Sequence, residues 1–431
     1  MEATFLRLHP VLIMCTLLLH LNLITLLLLP HHTQASRFLS ESILGLTELV
    51  WSPEPSNIFL GSPSILRLPN GDLLASSDRF GSGFKTQRNV SVYRSTNNGT
   101  TWSTQPTWVT DQYWSNLFQV DSSSNQVYLL GTSTDGPAPI KISKSMDGGA
   151  TWNQTTTLFG SVQSNDSFET GPTPSLIVTA NNKSTIYRAV ERMRPPFHWP
   201  SDYEATCVYA DATSDLLDKN NWKMAQPLPF NNSWIPHDWL PRLDDMGYLE
   251  GNMVEGPDHE NIYNILRLNT RSCTVLGNKA VVLLFDQEHN RFEFDSIIDL
   301  PGGHSKFVIR RHPSTGMYVT LSNVNTIPTA TDQRNRLSLC TSTTMKDWTE
   351  RVVLLKDDTG FTVNDSIKYT GFHYVDWQFD GTDGTDIIML VRTAYRGAVS
   401  YHNSNRLTYK RISNWQKLVQ KAVEVDSRED L

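Results

Sequence analysis

One turn motif constrains this chain more than any other feature. A short strand, Val90 to Tyr93, runs into Ser95-Thr96-Asn97-Asn98-Gly99-Thr100-Thr101-Trp102. The strand Lys141-Ile142-Ser143 likewise runs into Ser145-Met146-Asp147-Gly148-Gly149-Ala150-Thr151-Trp152. A worn copy, Ser342-Thr343-Thr344-Met345-Lys346-Asp347-Trp348, follows Leu337-Ser338-Leu339, and Asp218 to Trp222 is a weaker echo. The Asp or Asn side chain caps its own turn. The Gly permits positive φ. The Trp offers a large apolar ring that closes the hairpin. Short strands recurring with a period of ~40–50 residues are the pattern of propeller blades. An Asn-Gly hairpin fits the same texture: Ser64 to Leu68 leads to Pro69-Asn70-Gly71-Asp72 and returns through Leu73-Leu74-Ala75.

Composition agrees with an all-β body. The 12 Trp, 14 Tyr and 22 Pro favour strands and turns over helix bundles. The net charge of −7, with no run of basic residues, argues against nucleic acid as a partner. Helical periodicity is confined to Asn414–Val423, and no Gly-, Ser- or Pro-rich linker divides the body. The reading is therefore one domain from 40 to 420, followed by a polar, loose tail from 421 to 431. At the N-terminus, Arg7 precedes an apolar stretch from Val11 to Leu29 and the small residues Thr33 and Ala35. This predicts a secretory signal over residues 1–35; an uncleaved anchor is the alternative, and only then would a membrane be involved. Sequons at Asn89, Asn98, Asn153, Asn165, Asn182, Asn231 and Asn364 fit a secreted, extracellular glycoprotein. Cys207, Cys273 and Cys340 are too few and odd in number for a disulfide scaffold. No metal-ligand spacing, P-loop or dinucleotide fingerprint is present, so no cofactor or metal is expected.

The turns, the entry strand Ser62-Pro63-Ser64-Ile65-Leu66-Arg67-Leu68-Pro69-Asn70-Gly71 and three further segments resemble the sialidase superfamily over most of the body. The resemblance implies a six-bladed propeller with a central site. It also implies an arginine triad for the substrate carboxylate, a Tyr nucleophile activated by a Glu, and an Asp acid/base. In Leu249-Glu250-Gly251-Asn252-Met253-Val254-Glu255, leading to Ile265-Leu266-Arg267, Glu250 matches the activating Glu and Arg267 the second arginine. In Asp332-Gln333-Arg334-Asn335-Arg336-Leu337, Arg334 or Arg336 matches the third; strand alternation puts both on one face and leaves the choice open. In Phe372-His373-Tyr374-Val375-Asp376-Trp377, Tyr374 takes the place of the nucleophile.

Two positions depart from the pattern. Where the first arginine should open the entry strand stands Gly61-Ser62-Pro63, and near the acid/base Asp stands Lys85. Asp78, ending the second strand of the first hairpin, is the nearest substitute acid. Further polar residues are candidate substrate contacts. Glu191 and Arg192 precede Pro195-Pro196-Phe197-His198-Trp199, whose rings suit stacking on a sugar face, and His304 and Lys306 follow Gly302-Gly303. The expectation is a retaining exo-glycoside hydrolase of the sialidase type, acting on glycans that bear an acidic sugar. Tyr374, Glu250 and Asp78 would be catalytic. The missing arginine keeps open a hydrolase or lyase for another acidic sugar, such as a uronic or ulosonic acid, and a glycan-binding propeller without catalysis.

Overall fold

The computed structural model describes residues 44–84, 88–161, 166–193, 197–239 and 245–429, with side chains through 422. The leader at 1–35, Lys85, Asn165, Pro195 and Pro196 lie outside the described residues.

From Leu46 onward the chain forms one unit of six antiparallel sheets, arranged as the blades of a propeller. The innermost strands of blades one and two are Phe59–Arg67 and Tyr113–Phe118. In blade three, Ser167–Glu169 and Leu176–Ala180 both pair with Lys183–Met193. Blades four, five and six open with Tyr248–Glu255, Ile309–Arg311 and Gly371–Asp380. The last blade is completed by the first strand, because Thr47–Trp51 pairs with Arg406–Ile412. That closure ties the two ends of the unit together and leaves no open edge in the ring.

The turn motif behaves as its residues demand, with one difference. Asp147 Oδ1 accepts from the amides of Ala150 and Thr151, at 3.0 and 2.8 Å, and Gly149 N donates to Ser145 Oγ. Asn97 and Gly99 repeat these bonds in blade one. Each turn joins the third and fourth strands of its blade. The Trp, however, packs against the preceding blade rather than closing only its own hairpin. Trp102 of blade one meets Tyr409 of blade six edge-on at 5.5 Å. Trp152 of blade two packs with Leu66, Leu74 and Val92 of blade one. Trp348 and Trp222 do the same for blades four and two. The hydrophobic core is thus a ring of clusters between blades.

Buried polar side chains staple the inner strands together. Asp376 of blade six accepts from Ser64 Oγ and Ile65 N of blade one, both at 2.8 Å. Asn116 of blade two donates to Ser64 Oγ and accepts from Ser175 N of blade three. Asn252 of blade four accepts from Ile309 N of blade five.

Among the described residues two α-helices lie outside the sheets. Val363–Tyr369 is capped by Thr362, whose Oγ1 accepts from Asp365 N at 3.2 Å. Trp415–Glu429 runs on through positions read from sequence as a loose tail. Its start is anchored by the buried Trp415, whose indole N–H donates to Gly384 O at 3.0 Å, and that anchor allows the helix to form. Among the described residues no helix is long and apolar enough to cross a membrane. The three cysteines there are free.

Candidate active site

Four innermost strands break register at one level. Two residues oppose one between Leu60 and Pro63, Tyr113 and Asn116, Leu249 and Asn252, and His373 and Asp376. Such a bulge interrupts side-chain alternation and re-aims one side chain. The first bulged residues are Gly61, Trp114, Glu250 and Tyr374, and all four line one pocket of about 380 Å³. Three of them carry positive φ: Trp114 at 45°, Glu250 at 55° and Tyr374 at 51°. For residues with a Cβ this conformation costs about 1–2 kcal/mol each. Strain of this kind clusters at functional sites.

The pocket unites Asp78, Glu250, Arg267, Arg334 and Tyr374. Tyr374 Oη donates to Glu250 Oε1 at 2.7 Å, and Arg267 Nη1 donates to Glu250 Oε2 at 2.7 Å. Burial pushes the Glu250 carboxyl up. The Arg267 charge and hydrogen bond, the Tyr374 hydroxyl and Arg334 outweigh it and hold the carboxyl below its ordinary value. Burial and then Glu250 push the Tyr374 phenol up to about 12, against the pull of Arg267, Arg334 and Arg392. The resting pair is therefore a phenol bonded to a carboxylate.

Asp78 is buried, with Oδ1 accepting from Ser62 N at 2.7 Å and Oδ2 from Trp114 N at 3.0 Å. Burial raises it to about 7, despite those two amides and Arg392. Its carboxylate fills the space that a side chain at position 61 would need. A Cβ on Gly61 would stand 1.6 Å from Asp78 Oδ1. Asp78 thus leaves no room for a side chain at position 61, at the start of the entry strand from which the first arginine of the pattern is missing.

Arg334 precedes its strand and faces the pocket, where His373 Nδ1 accepts from its Nη1 at 3.1 Å. Burial, Arg392 and Arg334 keep His373 neutral, so its other nitrogen donates to Ser404 Oγ. Arg336, two residues on, lies inside the strand and pairs with Glu350 instead. Four other sequence candidates are not among the lining residues. Arg192 pairs with Glu204 at 2.6 Å on blade three. Glu191 is fully buried, and its Oε1 accepts from Gly251 N at 2.9 Å. His304 is buried and accepts from Thr270 N at 3.0 Å. Lys306 is buried and donates to Val375 O at 2.9 Å. Two glycines before His304 and Lys306 do not make an exposed turn, because blade packing covers them.

The pocket also holds residues that sequence reasoning missed. Arg392 opposes His373 in blade six and lies over the rings of Phe80 and Tyr374, at 4.9 and 5.0 Å. Glu169 accepts from Tyr203 Oη at 2.5 Å, and burial raises its carboxyl to about 7. Asp135, Arg271, Asp332, Tyr401 and His402 complete the polar and aromatic wall, together with Trp199 of the loop that the sequence offered for stacking on a sugar. The wall is bipolar. Asp78, Asp135 and Glu169 come from blades one to three, whereas Arg267, Arg334 and Arg392 come from blades four to six. Among the described residues no cluster of His, Cys, Asp and Glu is arranged to hold a metal ion.

This architecture recurs in solved structures. An α-L-arabinanase from Penicillium chrysogenum aligns with a TM-score of 0.55 at 13% identity, covering 86% of this chain and 98% of its own. An α-L-arabinofuranosidase from Fusarium graminearum gives a TM-score of 0.56 at 13% identity, with coverages of 85% and 97%. A leech intramolecular trans-sialidase gives 0.53 at 12% identity, with coverages of 87% and 71%. The chain has the six-bladed, sialidase-like propeller fold. No family model matches the sequence, and no curated protein matches it. At such identities the likeness concerns the fold, so the chemistry must be argued from the pocket.

Proposed function

We propose that the protein is a retaining exo-glycoside hydrolase acting on glycans that carry an acidic sugar. The observation that carries this reading is the Tyr374–Glu250 hydrogen bond of 2.7 Å, with Arg267 on the other carboxylate oxygen. A phenol is a poor nucleophile until its proton is taken. As Tyr374 Oη attacks the anomeric carbon, its proton passes to Glu250 Oε1. The developing phenolate charge is spread to Arg334 and Arg392, whose guanidinium carbons lie 5.8 and 5.0 Å from the ring centroid. Asp78, raised to about 7, protonates the departing glycosidic oxygen. Water then attacks the anomeric carbon as Asp78 takes its proton, the bond to Tyr374 breaks, and the departing phenolate oxygen takes back the proton held by Glu250. Arg334 and Arg392, with Arg267 beside them, receive the anionic group of the sugar. The sialidases and the trans-sialidase of this fold support a sialidase-like reaction. The apolar leader read over residues 1–35 supports a secretory-pathway or extracellular setting for this reaction.

A second reading is favoured by one observation: the Asp78 carboxyl fills the space of a side chain at position 61, beside the entry strand that lacks the first arginine of the sialidase pattern. With three carboxyls on one wall, the pocket suits a sugar rich in hydroxyls. The arabinanase and arabinofuranosidase neighbours share the fold with sugars of that kind. There Glu250 and a second carboxyl would do the chemistry. Replacing Tyr374 with Phe and Glu250 with Gln separates the two. Release of 4-methylumbelliferone is measured from sialosides, glucuronides and α-L-arabinofuranosides. The Tyr nucleophile requires both variants to lose on the order of 10²-fold or more in kcat. Full activity of Tyr374→Phe with loss in Glu250→Gln would move the reaction to the carboxyl pair.

A further inference from the structure

The side chains that were expected to touch substrate but lie beneath the pocket follow a pattern. Each of three bulges is held by a buried ionisable side chain from the preceding blade, two of them, Glu191 and Lys306, outside the pocket lining. Asp78 of blade one accepts from Trp114 N of blade two. Glu191 of blade three accepts from Gly251 N of blade four, next to Glu250. Lys306 of blade five donates to Val375 O of blade six, next to Tyr374. Glu191 and Lys306 are no more than 1% exposed and do not line the pocket, which rules out substrate contact for these two, whereas Asp78 also lines it.

A bulged residue with a Cβ and positive φ does not hold that conformation by preference. Something must fix it. The ladder does not, because the bulged residues fall outside the regular pairing of Leu249 with Arg267 and of His373 with Arg392. The bonds from Glu191 and Lys306 are what hold the adjacent peptide groups.

We propose that Glu191 and Lys306 are positioning residues that set the bulges carrying Glu250 and Tyr374, and so align the phenol with its base across the blade four–blade six gap. The inference rests on the Tyr374–Glu250 reading of the site. It assigns the two residues no contact with substrate. Burial lifts the Glu191 carboxyl to about 8, so a neutral acceptor at this position serves the Gly251 amide as the native group does. Gln preserves that acceptor; Met fills the space without it.

The test compares Glu191→Met, Glu191→Gln, Lys306→Met and Tyr374→Phe in the same 4-methylumbelliferyl glycoside assay, together with crystal structures of the variants. Misplacement of reacting groups by about 1 Å costs on the order of 10²-fold. Glu191→Met and Lys306→Met are expected to lose that much in kcat, with KM within about threefold of the parent, because the pocket walls remain. Glu191→Gln is expected to stay within about threefold in both. The structures of the two Met variants should show the φ of residue 250 or 374 moved out of the positive region and the 2.7 Å bond lengthened. Retained bulges in those structures would overturn the proposal even without an activity measurement. Loss in Tyr374→Phe with full kcat in both Met variants would overturn it and leave the nucleophile standing. Full kcat in Tyr374→Phe would instead remove the reading on which it rests. An equal loss in Glu191→Gln and Glu191→Met would show that charge, not the held bond, matters, and would also overturn it. The two arms are separate, so failure of one Met variant to fold leaves the other to decide.

Discussion

Substituting Gly61 with Ala probes why this pocket departs from the arginine pattern. The added Cβ would lie 1.6 Å from Asp78 Oδ1, 2.8 Å from its Cγ and 3.1 Å from its backbone oxygen. A contact of that kind cannot be absorbed by a small shift, so the carboxyl group must rotate away. It then loses the bond from Ser62 N at 2.7 Å and weakens the one from Trp114 N at 3.0 Å. A bond to a charged group contributes about 1.5–3 kcal/mol. Overpacking adds about 1–3 kcal/mol. The lower chain entropy of Ala in the unfolded state offsets roughly 0.4–1 kcal/mol. The net cost is about 3 kcal/mol. Urea unfolding midpoints measure it. Repeating the substitution in an Asp78→Gly background isolates the clash, since the obstructing carboxyl is then absent. The expected coupling is about 2 kcal/mol or more, within the range for residues in contact. A cost below about 1 kcal/mol, or the same cost in both backgrounds, would refute the assignment of Asp78 to the space at position 61.

Four further outcomes follow. The rate should be bell-shaped in pH: it falls in acid as Glu250 protonates, below its ordinary carboxyl range, and falls in base through about 7 as Asp78 loses its proton. Because the folded pKa of Asp78 is raised, its folded state binds more protons than the unfolded one between about 4 and 7. Stability therefore declines as pH rises across that window, and Asp78→Asn should flatten part of the decline in melting experiments. Asp147→Ala removes four bonds within its turn and should cost about 1–2 kcal/mol in unfolding assays without changing kcat, since no residue of the turn lines the pocket. Expression through a eukaryotic secretory pathway should place glycans on exposed sequons such as Asn153, Asn182 and Asn364, seen as a mass shift on endoglycosidase treatment; an unshifted protein would count against the extracellular assignment.

The parts of the fold legible in the sequence are those set by local contacts. The turns at Ser95–Trp102 and Ser145–Trp152 are determined by bonds within eight residues, and they mark blades wherever they occur. Glu250 and Tyr374 were legible only through resemblance. Alternation along a strand says nothing of a bulge, and the bulges turn these two side chains inward. Arg392 carries no local signal: it is one arginine in an apolar strand, and only closure of the ring brings it over Tyr374. Glu169 is hidden for the same reason, since its partner Tyr203 lies on another strand. Conversely, Lys306 and His304, which follow two glycines, read as candidate substrate contacts, yet the packing of adjacent blades buries both. The helix at Val363–Tyr369 had a readable cap in Thr362-Val363-Asn364-Asp365, where the hydroxyl and carboxylate meet at 2.8 Å.

The tyrosine mechanism turns on the bond that forms between protein and sugar. Incubation with a fluorinated glycosyl fluoride of the acidic sugar, followed by proteolysis and mass spectrometry, would trap that intermediate. The expected result is one glycosyl group on the peptide containing Tyr374, absent in Tyr374→Phe. A label on Glu250, Glu169 or Asp78 would contradict the tyrosine mechanism and assign the chemistry to the carboxyl groups.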